Sequence, residues 1–346
     1  MRRMKQHAAS PPVQIRLRRA ARRTGAWLLA LAGLITGLAL YGLLLLDQAP
    51  AVAIPIVNPD ALPEITRDTE PPSPVAPDDT LFVHPNYPIA RVEQKDKRVE
   101  NILLVGLDQN APASILIVSC DKRRQTVRLA AVLASCQVKQ RGRSQAEPLG
   151  SAYLYGGIGN LVNTCNETLG LDIQRFVLFD LAQIPALVDR LGGLPVTVGE
   201  DEMTALQQSP DAAVRAIERT IPAIDGPQRL VGRQVSAWMS LEEPFLDETH
   251  TPRPHRVLAD LAQRAGQSSL AALQLLAEGI DAYATNLGRL EKARLTGQVL
   301  LYGFEDAVLT VPKEDLYTIQ DDPWGLIVDW AEQKENLRAF IWSDLP

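Results

Sequence analysis

Short apolar runs alternate with helical patterns over the middle of the chain. The runs at 101–107, 114–120 and 126–133 are aliphatic and β-branched, as is typical of buried strands, and the polar stretch at 121–125 predicts a hairpin. Further strands are predicted at 173–180, 194–198 and 307–311, and helices at 158–169, 181–191, 210–220, 227–240, 254–266, 268–283, 286–300 and 323–338. This order predicts an α/β (mixed α+β) fold, with a central mixed β-sheet covered by helices on both faces.

A different pattern occupies the N-terminal region. Residues 26–46 form an uncharged apolar run of 21 residues, long enough at about 1.5 Å per residue to cross the roughly 30 Å hydrocarbon core of a membrane. The eight basic and no acidic residues among the first 46 predict a cytoplasmic N-terminus. A cleaved signal peptide ending near 51–53 is the alternative, but the length of the run favours a retained single-pass anchor.

These patterns predict four segments. They are a basic cytoplasmic tail at 1–25, a transmembrane helix at 26–46, a Pro-rich extracytoplasmic stalk at 47–98 and a folded domain at 99–346. Ten prolines between 47 and 88, without an apolar period, are the basis for the extended stalk. The expected location is therefore the cell membrane, with the C-terminal domain extracytoplasmic.

Charge and cysteine usage limit the partners and the metal sites that the chain could have. Beyond residue 46 the chain has 27 basic and 41 acidic residues, a net charge of −14, which argues against nucleic acid as a partner. With four histidines and no ligand spacing among the cysteines, a zinc site has little support. Cys120, Cys136 and Cys165 allow at most one disulfide, whose pairing stays open, and buried free thiols are the preferred interpretation.

Several segments in this order resemble the LytR-CpsA-Psr family, over roughly residues 99–340. The similar segments are NILLVGLD at 101–108, the hairpin at 114–132, SAYLYGG at 151–157, RFVLFDL at 175–181, LVDRLGGLPVTV at 187–198, IDGPQRLVGRQVSAWM at 224–239 and ATNLGRLEKARL at 284–295. The C-terminal third is the weakest part of the resemblance.

The resemblance implies a polyprenyl-pyrophosphate-linked glycan as ligand, with its tail in an apolar tunnel between sheet and helices. Family members transfer the phosphoglycan to peptidoglycan or another envelope acceptor. They hold the pyrophosphate with Mg²⁺ on acidic side chains and with arginines, because phosphoryl transfer requires its charge to be neutralised.

Most of the family's charged positions are substituted in this chain. The substituted positions are Asn110, Ala134, Ser240 and Ala259 in place of arginines, and Ala113 and Ser135 in place of acids. Asp108 remains as a candidate metal ligand and Arg256 as a candidate phosphate contact, with Arg253 as a compensating cation. The alternative is that Asp108 only caps a turn and that Arg256 pairs on a helix surface.

Three functions follow from these substitutions. The first is a module that binds polyprenyl-phosphate-linked glycans with transferase activity lost, and the second is an active phosphotransferase that would require Mg²⁺. The third is an envelope scaffold without a lipid ligand, working with other cell-envelope proteins. The loss of charge argues against the second. Filling of the tunnel by side chains such as Trp238 or Phe245 would favour the third.

Overall fold

A computed structural model describes residues 53–63, 87–209, 214, 226–241, 253–267, 283–321 and 324–342. The predicted tail at 1–25 and transmembrane helix at 26–46 lie outside these ranges, as do nearly all of the predicted helix at 210–220 and most of that at 268–283. Within the described ranges, none of the helices combines the length and apolar character that a membrane span needs.

The described ranges contain fourteen strands and seven α-helices. The strands are β1 (Ile56–Val57), β2 (Ile89–Ala90), β3 (Val99–Asp108), β4 (Ala111–Asp121), β5 (Thr126–Val132), β6 (Gln137–Lys139), β7 (Ala146–Pro148), β8 (Arg175–Asp180), β9 (Leu194–Val198), β10 (Gly226–Leu230), β11 (Tyr283–Thr285), β12 (Gly303–Val311), β13 (Tyr317–Asp321) and β14 (Trp324–Val328). The helices are α1 (Ser151–Leu169), α2 (Ile184–Arg190), α3 (Glu200–Gln207), α4 (Gly232–Met239), α5 (Arg253–Gln267), α6 (Arg289–Leu301) and α7 (Trp330–Trp342).

Six strands form the central sheet, in the order β11, β8, β3, β4, β5, β12. The β3–β4, β4–β5 and β8–β11 pairs are antiparallel, whereas β3–β8 and β5–β12 are parallel. This mixed sheet confirms the predicted fold class. The two parallel pairs need long crossover connections, which the helices between these strands supply.

Helices cover both faces of the sheet. On one face, α1 and α7 pack on Ile117, Val132 and other residues that point the same way. On the opposite face, α2, α4 and α5 pack on Leu116 and Ala131, which alternate with the first set along β4 and β5. Two-sided burial explains the nearly continuous apolar sequence of these strands.

One buried cation ties the second half of the chain to the sheet. The side chain of Arg128 in β5 donates to the Glu305 carboxylate at 2.7 Å and to the carbonyl oxygen of Ile341 at 3.1 Å. Because burying an unpaired guanidinium is costly, these partners fix β12 and the end of α7 against β5.

Parts of the predicted stalk lie against the folded domain. Strand β1 pairs with β2 in parallel, and the side chains of Ile54 and Ile89 join the core beside α1. The N–H of Ala90 donates to the Asn163 side chain of α1 at 2.7 Å. Residues 53–57 and 87–90 are therefore packed, and the remaining boundaries of the four segments stay a prediction.

Two predicted helices are wrong at their N-terminal ends. Residues 226–230 form β10, paired with β9, and residues 324–328 form β14, paired with β13. The pairs β6–β7 and β13–β14 were not predicted. The strands of the first pair have only three residues each, too few for a visible two-residue alternation. The helix predicted from 158 begins at Ser151 and contains a kink, since Gly156 and Gly157 have non-helical backbone angles.

Candidate functional site

Three segments that carry the substituted family positions meet at one end of the sheet. The N–H of Gly150, just before α1, donates to the carbonyl oxygen of Ala134, just after β5, at 2.9 Å. A Cβ built on Gly150 would lie 3.2 Å from the Cβ of Ala134 and 3.8 Å from the carbonyl oxygen of Pro112 in β4. The three segments therefore meet at one end of the sheet, and the residues there are small and uncharged.

The hairpin between β3 and β4 has a two-residue turn next to this end. Asp108 pairs with Ala111, and the two residues between them, Gln109 and Asn110, have φ values of 47° and 68°. Two successive positive φ angles are the geometry of a type I′ turn, which favours asparagine. The positive φ angle of this turn therefore explains why asparagine is favourable at position 110, where the resemblance implies an arginine.

The side chains at this end of the sheet do not fit a magnesium site. Asp108 is exposed, Ala113 packs partly against the apolar cluster under α2, and the backbone oxygen of Ser135 accepts from Leu326 N at 3.2 Å. Of the three family acid positions, only Asp108 supplies an anionic oxygen, whereas Mg²⁺ prefers several oxygen ligands. In the described part of the chain, no cluster of three acidic, histidine or cysteine side chains could hold a metal ion.

The buried side chain of His255 bridges β4 and β5 near the same end. Its Nε2 atom lies 3.0 Å from the N–H of Ile115 and 3.2 Å from the carbonyl oxygen of Val132. Burial lowers the pKa of His255 to about 4, although both backbone contacts act to raise it. His255 is therefore a neutral, buried side chain that contacts both β4 and β5.

Arg253 and Arg256 converge on one carboxylate. Arg253 Nε lies 2.8 Å and Arg256 Nη2 lies 2.5 Å from Oε1 of Glu202 in α3. Arg253 also donates to the carbonyl oxygen of Leu241 at 2.7 Å. The side chains of Arg253 and Glu202 are only 7% and 12% exposed, so the cluster is largely shielded from solvent.

Glu202 is held in its charged form. Burial acts to raise the pKa of Glu202, but the N–H of Gly199, the Trp238 side chain and the two arginines outweigh it and lower the pKa. The guanidinium of Arg256 lies 4.6 Å from the centre of the Trp238 ring, a cation–π distance. Trp238 is fully buried in the apolar cluster between the sheet and α2, α4 and α5.

The remaining candidate positions do not join this cluster. Ser240 is exposed and its hydroxyl donates to the carbonyl oxygen of Ser236. Ala259 is buried against Val127 and Leu129 of β5, where a charged side chain would lack solvent. Within the described residues, neither a hydrogen bond nor an ion pair links Asp108 to the arginines. Phe245 lies outside the described residues.

The three cysteines are buried free thiols, as the preferred interpretation predicted. Burial raises the pKa of Cys120 and Cys165 to about 12, and it also raises the pKa of Cys136. Since the thiolate is the reactive form, none of the three is suited to nucleophilic chemistry.

Two residues of the arginine cluster were missed by sequence reasoning. Glu202 lies 51 residues before Arg253, and no local pattern connects the two. Asp260 stands one turn after Arg256 on α5, a spacing that could have indicated their proximity. Burial raises the pKa of Asp260 to about 6, and the charge of Arg256 opposes this shift.

The sequence and fold together identify the family. The LytR_cpsA_psr family profile matches residues 78–311, well over half of the chain, so this chain belongs to that family. It is 22% identical over 183 residues to the polyisoprenyl-teichoic acid–peptidoglycan teichoic acid transferase TagU of Enterococcus faecalis, covering 51% of this chain and 56% of TagU. It is 21% identical over 249 residues to the corresponding transferase TagT of Bacillus subtilis, covering 63% of this chain and 76% of TagT. The match thus spans little more than half of TagU.

Solved structures of TagT have the same fold. The crystal structure of B. subtilis TagT matches with a TM-score of 0.55 at 17% identity, covering 72% of this chain and 95% of TagT. TagT bound to LIIa-WTA gives a TM-score of 0.56 at 16% identity, covering 72% and 94%. TagT with bound octaprenyl pyrophosphate lipid gives 0.53 at 16% identity, with the same coverage.

Proposed function

We propose that this protein is a membrane-anchored, extracytoplasmic member of the family that binds polyprenyl-phosphate-linked glycans and has lost transferase activity. The observation that carries the proposal is the sheet end where Pro112, Ala134 and Gly150 converge. This end has small neutral residues where the resemblance led us to expect charged positions.

Electrostatics supports the loss of catalysis. A pyrophosphate that transfers a phosphoryl group accumulates charge that must be neutralised in the transition state. Removing one such charged group typically costs roughly 10²–10³ in rate, and this chain lacks several together. Since losses within one catalytic unit are not additive, we expect a very small residual rate. The two candidate cations, Arg253 and Arg256, both form an ion pair with Glu202.

The lipid part of the proposal is supported by relatedness. TagT has been solved with a bound octaprenyl pyrophosphate lipid, and it shares the sheet and helix arrangement of this chain. Retention of that fold without the charged positions is expected if the apolar part of the ligand still has to be bound. The uncharged run at 26–46 would hold the domain at the membrane surface, where such lipids are found.

A scaffold without a lipid ligand is the second candidate, and Trp238 favours it. Its indole is fully buried in the apolar cluster between the sheet and the helices, the layer in which the resemblance implies a tunnel. A side chain of this size occupies volume that a prenyl chain would need. The two candidates differ in whether lipid is bound.

The test is extraction of full-length protein purified from bacterial membranes in mild detergent, followed by mass spectrometry for polyprenyl phosphates. TagT, purified in the same way, is the positive control. We expect polyprenyl phosphates to co-purify with both proteins. Their absence from this protein alone would overturn lipid binding and leave the scaffold.

A second assay addresses catalysis with the same preparations. We expect no magnesium-dependent release of polyprenyl phosphate from a polyprenyl-pyrophosphate-linked glycan, under conditions in which TagT is active. Turnover that Arg256→Ala abolishes would establish an active transferase and contradict the proposed loss. Membrane anchoring is tested separately by carbonate extraction, which should leave the full-length chain in the membrane pellet.

A further inference from the structure

Helix α6 has an apolar side that is exposed to solvent. Leu290 and Leu301 are 82% and 80% exposed, more than any other large apolar side chain in the described ranges. They are separated by about three helical turns, so they share one side of α6, and Arg294 lies between them on that side. Leu295, on the opposite side, joins an apolar cluster with Ile102 of the central sheet. The exposed side of α6 therefore has an arginine between two leucines.

Helix α6 is joined to a hairpin turn at one end of the central sheet. Oε2 of Glu100 in β3 lies 2.6 Å from Arg294 Nη1 and 3.5 Å from Lys122 Nζ. Just after α6, the N–H of Gly303 donates to the carbonyl oxygen of Gln125 at 2.9 Å. Because Lys122 and Gln125 both belong to the turn between β4 and β5, this turn and the exposed side of α6 form one continuous surface.

This surface has an excess of positive charge, although the chain beyond residue 46 has a net charge of −14. The residues around the start of β3 contact the β4–β5 turn, because the N–H of Lys122 donates to the carbonyl oxygen of Arg98 at 2.8 Å. Together they contain six basic and three acidic residues, which are Lys95, Lys97, Arg98, Lys122, Arg123 and Arg124, and Asp96, Glu100 and Asp121. We call these nine residues, with Leu290, Arg294 and Leu301, the basic edge.

The acidic residues of the basic edge have local partners and leave cations over. Asp96 forms an ion pair with Arg98 at 2.6 Å, and Asp121 accepts a hydrogen bond from the N–H of Arg123 at 2.8 Å within the turn. The side chains of Lys97 and Arg123 are exposed, and neither forms an ion pair with another residue in the part of the chain that the structure describes. Both are therefore available to an anionic partner.

We propose that the basic edge docks on the anionic lipid surface of the membrane that anchors the chain. Basic side chains are attracted to anionic headgroups, and leucines beside them enter the boundary between headgroups and acyl chains. A second copy of this chain would bring like charges together, and a soluble polyanion would leave the leucines in water. The inference rests on the membrane anchor of the proposed function and goes beyond it, because it states which end of the domain faces the membrane.

The short link to the predicted transmembrane helix allows this contact. Residues 47–52 span at most roughly 20 Å between that helix and the folded part of the chain. The side chain of Ile54, just after the link, packs beside Gly159 of α1. Gly170 is about 16 Å further along α1, and Lys95 of the basic edge donates to its carbonyl oxygen. The basic edge is therefore within reach of the membrane surface.

The test uses full-length protein in lipid nanodiscs, with the environment-sensitive fluorophore NBD attached at position 301. Leu301→Cys provides the attachment site, because this side chain is exposed whereas the native cysteines are buried. Protein without the introduced cysteine is the labelling blank. Glu200→Cys gives a reference position that is exposed in the first turn of α3. Each labelled protein is measured in discs of phosphatidylcholine alone and in discs of phosphatidylcholine and phosphatidylglycerol in equal amounts.

We expect the emission of NBD at position 301 to brighten and shift to shorter wavelength only in discs that contain phosphatidylglycerol. The physical reason is that the fluorophore leaves water when the basic edge docks. The fluorophore at position 200 should give the same emission in both kinds of disc. Absence of a response at position 301, or an equal response in the two lipids, would overturn the proposal.

Charge variants test whether the basic edge is responsible. Combining Lys97→Gln with Arg123→Gln should lower the ratio of docked to undocked protein by roughly 20- to 30-fold, since each basic residue near an anionic surface contributes about fivefold. The matched control combines Arg229→Gln with Arg233→Gln, which removes two exposed cations outside the basic edge. The control should leave the ratio unchanged. Equal ratios in the two double variants would overturn the proposal.

Other occupants of the basic edge give different results. A response to soluble inorganic polyphosphate in phosphatidylcholine discs, without a response to phosphatidylglycerol, would assign the edge to a soluble polyanion and overturn the proposal. A shift in detergent that depends on protein concentration and not on lipid would assign the edge to a second copy, and it would overturn the proposal as well.

Anchoring is measured separately from docking. Protein that co-elutes with phosphatidylcholine discs but shows no response to phosphatidylglycerol contradicts docking alone. Protein that co-elutes with neither kind of disc contradicts the anchor of the proposed function. The same labelled chain is then added to phosphatidylglycerol vesicles, where docking predicts the same shift at position 301 and the same loss in the Lys97 and Arg123 double variant. A missing shift there would overturn the proposal.

Discussion

His255 Nε2 lies 3.0 Å from the N–H of Ile115, so that a side chain of α5 takes part in the pairing of β4 with β5. A backbone N–H is only a donor, so in this contact Nε2 is the unprotonated nitrogen and the ring proton is on Nδ1. The carbonyl oxygen of Val132, 3.2 Å from Nε2, is then a close contact and not a hydrogen-bond acceptor of the ring. Nδ1 is itself buried without a hydrogen-bond partner among the described residues. Protonating the ring would therefore bury a charge and remove the acceptor for Ile115.

The first prediction is a loss of stability on acidification that depends on His255. The pKa of His255 is about 4 in the fold and about 6.5 in an unfolded chain, so the unfolded state binds more protons between these values. Stability should fall as the pH decreases from 6.5 towards 4, by roughly 2–3 kcal/mol. Thermal unfolding of wild type and His255→Gln measures it, because glutamine supplies an acceptor without titrating. A stability difference between the two that does not change with pH would contradict the prediction.

Asp260 is expected to give the opposite pH dependence. Its pKa is raised from 3.8 to about 6 by burial, so the folded state binds more protons between these values. The associated stability is complete below pH 3.8 and is lost as the pH rises through 6. Asp260→Asn should be more stable than wild type at pH 7.5, by roughly 1–3 kcal/mol, and equal to it near pH 4. Thermal unfolding at both pH values tests this, and equal stability at pH 7.5 would contradict it.

The cysteines are expected to react only after unfolding. Cys120, Cys136 and Cys165 are buried, so a thiol reagent cannot reach them in the folded protein. Their raised thiol pKa values also keep them protonated at pH 8, and the thiol form does not react. Ellman's reagent should titrate none of the thiols in the native protein and all of them in guanidinium chloride without reductant. Fewer than three thiols in the denatured, unreduced protein would indicate a disulfide.

The central sheet could be predicted because its strands are apolar on both faces. The strands β3, β4 and β5 were found within a few residues, and β9 was found at its observed bounds, Leu194–Val198. The failures at β10 and β14 have a common cause. Each is a short strand directly before a helix, so that its apolar residues were taken for the first turn of that helix.

The candidate site was predictable in its backbone and not in its side-chain pairing. Pro112 lies near the start of β4 and Ala134 follows β5, so the predicted antiparallel hairpin puts both residues at the same end of the sheet. The partner of Arg253 and Arg256 depends on how α3 packs beside α5. Glu202 lies on a different element, and nothing in the sequence links it to the arginines.

Residues 87–90, just before the domain, can pack on α1 because residue 159 of that helix is glycine. A Cβ at this position would lie 1.8 Å from the carbonyl oxygen of Tyr87 and 2.9 Å from its carbonyl carbon. Since real atoms do not approach so closely, a methyl group here would push residues 87–90 away from the helix. The contacts at stake include the buried side chain of Ile89 and the hydrogen bond from Ala90 to Asn163.

Gly159→Ala is therefore expected to destabilise the protein by roughly 2–4 kcal/mol, in the upper part of the range for overpacking. The matched control is Gly297→Ala in α6, where a Cβ would meet nothing within 4 Å. Alanine there should raise the free energy of unfolding by about 0.5–1 kcal/mol, because glycine is the poorer helix former. Thermal unfolding of both variants in the full-length chain tests the contrast. If Gly159→Ala were as stable as Gly297→Ala, residues 87–90 would not pack on α1 in solution, and the stalk would extend to the start of β3.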